Sequence, residues 1–333
     1  MILAVETSCD DTCAAVVDGP RVLANVISSQ AAVHDRYGGV VPEVASRHHL
    51  ELVEPVVGAA LEEAGVALER IEAVAVTAGP GLIGALLVGL SSAKAIAAAR
   101  RLPLIPVDHL QGHVAANFLE PDPLQPPFLC LLASGGHTLL AAVHDHGGHL
   151  VLGQTLDDAA GEAIDKAARM LGLGYPGGPA LERLAASGDP GAFALPLAMT
   201  RDAGLDFSFS GLKTAMAYRC RELGEEEVDA RRADLAASFQ AAVVGQLIAK
   251  LESALEGGDW GAVALGGGVA ANRALRDATA ELCERRGARL KLVPGELCTD
   301  NAAMIGAAAL HAKRLPYPDY LAYDAFAAGE LAA

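Results

Sequence analysis

Two histidines stand four residues apart, His109 and His113, in Val107-Asp108-His109-Leu110-Gln111-Gly112-His113. On a helix this spacing puts both imidazoles on one face, one turn apart. Two neutral imidazoles so placed supply most of a metal site and need a third, hard ligand from elsewhere. Asp300, in Cys298-Thr299-Asp300-Asn301, is the natural candidate. Two histidines and one carboxylate leave coordination positions open, as a metal that binds a substrate oxygen requires. A zinc-protease helix with this spacing carries glutamate directly after the first histidine as its general base. Here that position is Leu110, which argues against a peptidase.

The elements that hold these residues come from a chain of 333 residues, long for one core and sufficient for two. Apolar residues make up 52% and aromatics 4%, so the interior is aliphatic and rich in small residues. Clustered glycines among the 36 suggest backbone that approaches a ligand closely. A net charge of −16 argues against a free-standing nucleic-acid binder, which would usually be basic, though not against a local basic stripe or one supplied by a partner. The pairs Arg219 and Arg221, Arg231 and Arg232, and Arg285 and Arg286 read as solvated helix faces. Six cysteines without a CxxC fit the reduced thiols of a cytoplasmic protein. The N-terminus lacks the basic region and cleavage site of a signal peptide. The apolar stretch 81–99 contains Ser91, Ser92 and Lys94, which predicts a buried small-residue helix rather than a membrane span.

Residues 2–17 read as strand, polar turn, strand, and residues 128–143 read the same way. Two such hairpins, about 125 residues apart, indicate a duplicated α/β lobe. Helices are expected over 43–64, up to about 101, from 109, and over 161–171, 230–255, 272–286 and 301–310. Strands are expected over 71–77, 104–107 and 262–265, the last running into Gly266-Gly267-Gly268. Residues 174–205 look irregular and the tail after Pro316 loosely held. This order describes the two-lobed actin, heat-shock ATPase and sugar-kinase (ASKHA) fold with a central cleft. There, glycine loops offer backbone N–H groups to phosphates and a late glycine turn packs against adenosine. Residues 1–108 with about 301–325 would form the first lobe and 109–300 the second, with the metal between them.

The motifs themselves resemble a known family. They are Val5–Thr12 (VETSCDDT), Gly38–His48 (GGVVPEVASRH), Gly79-Pro80-Gly81, the histidine segment and Ser134–Thr138 (SGGHT). Gly161–Lys166 (GEAIDK), Tyr175–Gly178 (YPGG), Phe207–Thr214 (FSFSGLKT), Gly266–Asn272 (GGGVAAN) and Cys298–Ala302 (CTDNA) complete the set. Together they look like the bacterial tRNA N6-adenosine threonylcarbamoyltransferase family, once labelled O-sialoglycoprotein endopeptidase. The resemblance runs from residue 2 to about 310, in one order.

That resemblance implies transfer of a threonylcarbamoyl group from threonylcarbamoyl-AMP to the exocyclic amine of adenosine 37, in tRNAs that read codons beginning with A. It implies that His109, His113 and Asp300 hold one divalent metal, iron(II) or zinc, with His137 as a further ligand, a polar contact or a structural loop residue. Leu132, Ala133, Ser134, Gly135 and Gly136 would line the phosphate and carbamoyl region. Asp165 and Gly178 would meet the ribose, with Glu182 where relatives often carry Asp or Ser, and Asn272 would sit by the adenosine. Asp10 and Asp11 stand together in the first hairpin, with Asp11 the candidate acceptor of the amine proton; the alternative is that this loop organises phosphate and magnesium, as in kinases of this architecture. Implied partners are tRNA, a smaller paralogous scaffold subunit bound through the first lobe, and a small ATPase, all in the cytoplasm and without a membrane. An ATPase or kinase of the same fold predicts magnesium-dependent γ-phosphate transfer with no need for the histidines. A non-catalytic scaffold predicts loss of the ligands, and a metallopeptidase needs a base that Leu110 does not provide.

Overall fold

The computed structural model describes residues 1–199 and 204–328. The chain divides into two compact units, one built from residues 1–125, 145–148 and those from 300 onward, the other from 126–144 and 149–299. The boundary expected after Asp108 therefore falls inside the first unit, because the histidine helix packs there against the helix Ala302–Ala309.

Each unit is built on a five-stranded sheet. The first contains β1 (Ile2–Glu6), β2 (Asp11–Asp18), β3 (Arg21–Ser29), β4 (Ala73–Gly79) and β5 (Leu104–Asp108), in the order β3-β2-β1-β4-β5. The second contains β6 (Phe128–Ala133), β7 (Thr138–Asp145), β8 (Gly148–Gln154), β9 (Ala262–Gly266) and β10 (Arg289–Lys291), in the order β10-β9-β6-β7-β8. The orders are the same once β6 is set on β1. In both, an antiparallel hairpin is joined by parallel strands on the other side of its first strand. This is the duplication that the two hairpins predicted, and the fold is of the ASKHA class. The sequence reading stopped at two strands per hairpin. β3 and β8 escaped it because they are half-exposed edge strands with little apolar alternation.

The central strands are apolar on both faces and fully buried, as sheet sandwiched by helices requires. In the first unit Leu3, Val5, Ala14, Val16, Val74 and Val76 pack with residues of Pro42–Glu63 and Ile83–Arg100. The alternate face of β2 meets Ala302–Ala309, where Val17 lies against Gly306. Ile83–Arg100 is the stretch that passes for a membrane span by length and composition. Its residues Ala85, Leu86, Gly89, Leu90, Ala93 and Ala97 are buried in the first unit.

Two other expectations change. The segment 174–205 contains the helix Gly177–Ala185, which begins directly after Pro176. The tail is held down through residue 328: Tyr320 is buried, Lys94 donates to the carbonyls of Leu321 and Tyr323, and the Phe326 amide donates to Ala78 at 3.0 Å. The arginine pairs do face acids, with Arg219 on Glu222, Arg231 on Asp234, and Arg286 on Glu252 and Glu256.

Candidate functional site

The parallel strands of the first sheet end together, and their C-terminal ends carry the chemistry, as in other open α/β sheets. β1 ends at Glu6, β4 passes Thr77 near its end, and β5 ends at Asp108, directly before His109. Asp108 starts the histidine helix (His109–Ala115) as its N-cap, accepting from the Leu110 amide at 2.8 Å and the Gln111 amide at 3.0 Å. The helix keeps His109 and His113 on one face, with ring centroids 4.8 Å apart and planes at 79°. Gly112 lies between them: a Cβ there would come within 2.8 Å of Ile305, so glycine lets the two helices close up. Asp300 arrives just before the second of these helices, whose N-cap Asn301 accepts from the Met304 amide at 2.9 Å.

The three side chains converge. Nε2 of His113 lies 3.3 Å, and Nε2 of His109 3.5 Å, from Oδ1 of Asp300. Two ligands about 2.1 Å from one ion, subtending 90–110°, lie roughly 3.0–3.5 Å apart, so the two spacings to Asp300 suit a single cation, and the three ligand atoms all lie within 4.8 Å of one another. The His113 side chain is fully buried, and neither of its ring nitrogens has a hydrogen-bond partner. A buried donor–acceptor without a partner is costly, and an ion bound at Nε2 would satisfy one of the two. Nitrogen and carboxylate donors suit iron(II) or zinc. Among the described residues these three are the only group of histidine, cysteine and carboxylate side chains close enough to hold a metal. His137 lies in the other unit, and its carbonyl accepts from the Ser134 amide at 2.7 Å.

Burial alone would push the His109 imidazolium down, but the adjoining Asp300 and Glu6 carboxylates more than offset this and lift it to about 9. Burial also dominates at Asp11 and pushes its carboxyl up to about 7, against a hydrogen bond from Ser29 and with help from Asp10, Asp300 and Glu6. Oδ1 of Asp11 is buried and has no hydrogen-bond partner. The turn that presents Asp11 is clamped by His49, whose Nε2 donates to the Cys9 carbonyl at 2.9 Å while Nδ1 accepts from Thr12 Oγ1 at 2.8 Å. Glu6, Ser8, Thr77 and His49 were not assigned roles from sequence. Glu6 and Ser8 stand in the VETSCDDT motif and His49 directly follows GGVVPEVASRH, but motif membership does not say what a side chain touches.

The substrate-binding candidates all lie in the second unit. The turn after β6 is closed by Ser134, whose Oγ accepts from the His137 amide at 3.1 Å. Gly135 and Gly136 are exposed, with no atom near where a Cβ would be. The helix Ala160–Met170 starts beside this turn: the Gly161 amide donates to the Ser134 carbonyl at 3.1 Å and the Ala160 amide to Thr138 Oγ1 at 2.8 Å. Exposed glycine amides next to a helix N-terminus favour an anion. Gly267 has φ +83°, and a Cβ on it would lie 2.4 Å from the Ala133 carbonyl oxygen, so the two glycine turns touch.

Further along, Asp165 Oδ1 accepts from the Gly177 amide at 2.9 Å, next to Gly178. Glu182 Oε1 accepts from the Arg273 amide at 2.7 Å. Asn272 caps the helix Arg273–Arg286 through the Leu275 amide and donates to Gln240 Oε1 at 2.9 Å. Leu132 and Ala133 are buried strand residues whose side chains serve the core.

Comparison with known proteins gives the family. The family model "tRNA N6-adenosine threonylcarbamoyltransferase" matches residues 21–307. A protein of that description from Symbiobacterium thermophilum is 57% identical, over 92% of this chain and 90% of its own. Another, from Trichlorobacter lovleyi, is 52% identical over 98% of this chain and 96% of its own. Component A of the Acidaminococcus fermentans (R)-2-hydroxyglutaryl-CoA dehydratase shares the fold at 17% identity, with a TM-score of 0.56 and coverage of 93% of this chain and 96% of its own. By the family match and the identity to these relatives, the chain belongs to the tRNA N6-adenosine threonylcarbamoyltransferase family.

Proposed function

We propose that this protein transfers the threonylcarbamoyl group of threonylcarbamoyl-AMP to N6 of adenosine 37 in tRNAs that read codons beginning with A. The observation that carries the reading is the convergence of His109, His113 and Asp300 in a chain that matches the transferase family along most of its length. The N6 lone pair attacks the carbamoyl carbonyl carbon, the bond from that carbon to the phosphate oxygen breaks, AMP leaves, and the amine gives up a proton. His109, His113 and Asp300 would hold the divalent metal, iron(II) as the first candidate and zinc as the second. When bound, the metal supplies Lewis-acid polarisation of the group under attack.

The chain's own residues do the rest. The Gly135 and Gly136 amides bind the phosphate and carbamoyl oxygens, Asp165 and Gly178 hold the ribose beside Glu182, and Asn272 sets the adenosine end. Asp11 takes the amine proton. The smaller paralogous subunit docks on the first unit, where Leu50, Ile83 and Leu87 stand exposed on Pro42–Glu63 and Ile83–Arg100. A small ATPase completes the assembly, in the cytoplasm where tRNA is modified. His137 acts as a polar contact of the glycine turn.

The test is a transfer assay with freshly made threonylcarbamoyl-AMP and unmodified tRNA, with and without both partners, read by mass spectrometry of the digested tRNA. Threonylcarbamoyl-adenosine that disappears on chelation and returns with added iron(II) is the expected result. No product under any partner condition would overturn the reading. A second variant probes the pocket. Asn272→Ala should weaken adenylate binding about tenfold, the loss of one hydrogen bond, while its lost cap costs about 1 kcal/mol of stability. Titration calorimetry beside thermal melting separates the two. An unchanged Kd with a lowered Tm would leave Asn272 as a cap alone.

A further inference from the structure

We propose that Glu6 is the positioning residue for His109: its carboxylate holds the imidazole as the Nδ1–H tautomer, so that Nε2 presents its lone pair to the metal. The assignment rests on the reading of His109, His113 and Asp300 as ligands. Glu6 is 0% exposed, and a buried carboxylate is costly unless its oxygens are satisfied. They are. The Ser8 amide donates to Oε1 at 2.5 Å, Thr77 Oγ1 to Oε2 at 2.5 Å, and His109 Nδ1 lies 3.1 Å from Oε2. Ser8 and Thr77 reach the two oxygens from the ends of β1 and β4, which leaves the carboxylate one orientation.

A histidine that donates one ring N–H to a fixed carboxylate has one tautomer and one ring orientation, and the other nitrogen becomes the better ligand. Nε2 of His109 then points to the Asp300 side. His113 has no such support on the far side of its ring, since its Nδ1 lacks a hydrogen-bond partner. The two imidazoles are therefore unequal: both face Asp300 through Nε2, but only His109 has a carboxylate at Nδ1.

Ser8 Oγ competes for the same nitrogen, at 3.1 Å from His109 Nδ1. A hydrogen bond to a carboxylate is roughly twice as strong as one to a neutral hydroxyl, so Glu6 should dominate.

The experiment measures cobalt(II) affinity of the metal-free full-length protein by chelator competition, with the visible d–d spectrum recorded in parallel. Wild type, Glu6→Gln, Ser8→Ala and His113→Ala are compared. Glu6→Gln should bind about 10–100-fold more weakly with a shifted spectrum, and Ser8→Ala should stay close to wild type. Equal affinity and spectrum in Glu6→Gln, or a loss in Ser8→Ala instead, overturns the assignment. Wild type that binds no cobalt, or His113→Ala that binds it as wild type does, overturns the metal reading first and this one with it. Should Glu6→Gln not fold, nitrogen-15 NMR of the zinc-loaded wild type decides. A protonated Nδ1 with Nε2 on the metal is expected at His109, and the opposite tautomer overturns the proposal.

Discussion

His113→Ala should leave the purified protein without its metal and lower transfer by at least about 10³-fold, the several kcal/mol a Lewis acid contributes at about 1.4 kcal/mol per tenfold. The fold should survive. Removing a buried side chain leaves a cavity, which costs stability. This particular ring, however, brings two buried nitrogens without hydrogen-bond partners into the core of the metal-free protein, and removing them relieves a desolvation cost of similar size. The two effects oppose each other, so the metal-free variant should melt within a few degrees of metal-free wild type. The metal-loaded wild type should melt higher than either, because a ligand that binds only the native state adds stability by mass action. Elemental analysis, the transfer assay and a melting curve on one preparation read all three. Full metal content with normal transfer would remove His113 from the ligand set. A lost fold would show that the site is structural before it is catalytic.

What the sequence made legible here was periodicity and motif order. The histidine pair, Asp300 and the two hairpins are patterns of spacing, and the sheets repeat one strand order as the hairpins required. The partners of those residues were not legible. Glu6 belongs to an apolar strand whose other members all face the core, and nothing local marks it as the acceptor for a ring that comes 103 residues later. Asn272 and Glu182 show the converse. Both were assigned to the substrate, but their side chains serve the N-terminus of the helix Arg273–Arg286. A substrate contact there must be shared with, or taken from, a capping bond, which no motif reveals. The tail illustrates a third case. Its apolar residues follow neither a helical nor a strand period, yet Tyr320 and Lys94 fix it by long-range contacts.

Asp11→Asn should lower transfer by about 10²-fold or more, within the range for losing a general base, while metal content stays unchanged. The pH profile carries the argument. Burial pushes the Asp11 carboxyl up to about 7, and only the ionised form accepts a proton. Wild-type transfer should therefore rise with pH as this carboxyl ionises, at a pH below about 7 once a bound cation offsets the neighbouring Asp300 and Glu6 charges, and the residual rate of Asp11→Asn should lack that limb. Stability should run the other way. A carboxyl whose folded pKa exceeds its unfolded value favours the fold while protonated. Its contribution is full below the unfolded value of 3.8 and is lost as pH rises through about 7. At pH 8 metal-free wild type thus carries a buried carboxylate with an unpartnered oxygen, and the neutral amide of the variant does not. Metal-free Asp11→Asn should melt above metal-free wild type at pH 8, by a margin that narrows as pH falls from about 7 towards 4. Slower and more stable is the pattern of a residue kept for chemistry at the expense of the fold. A variant that loses activity and stability together at pH 8 would make Asp11 structural, and an unchanged acid limb would move the proton to another acceptor.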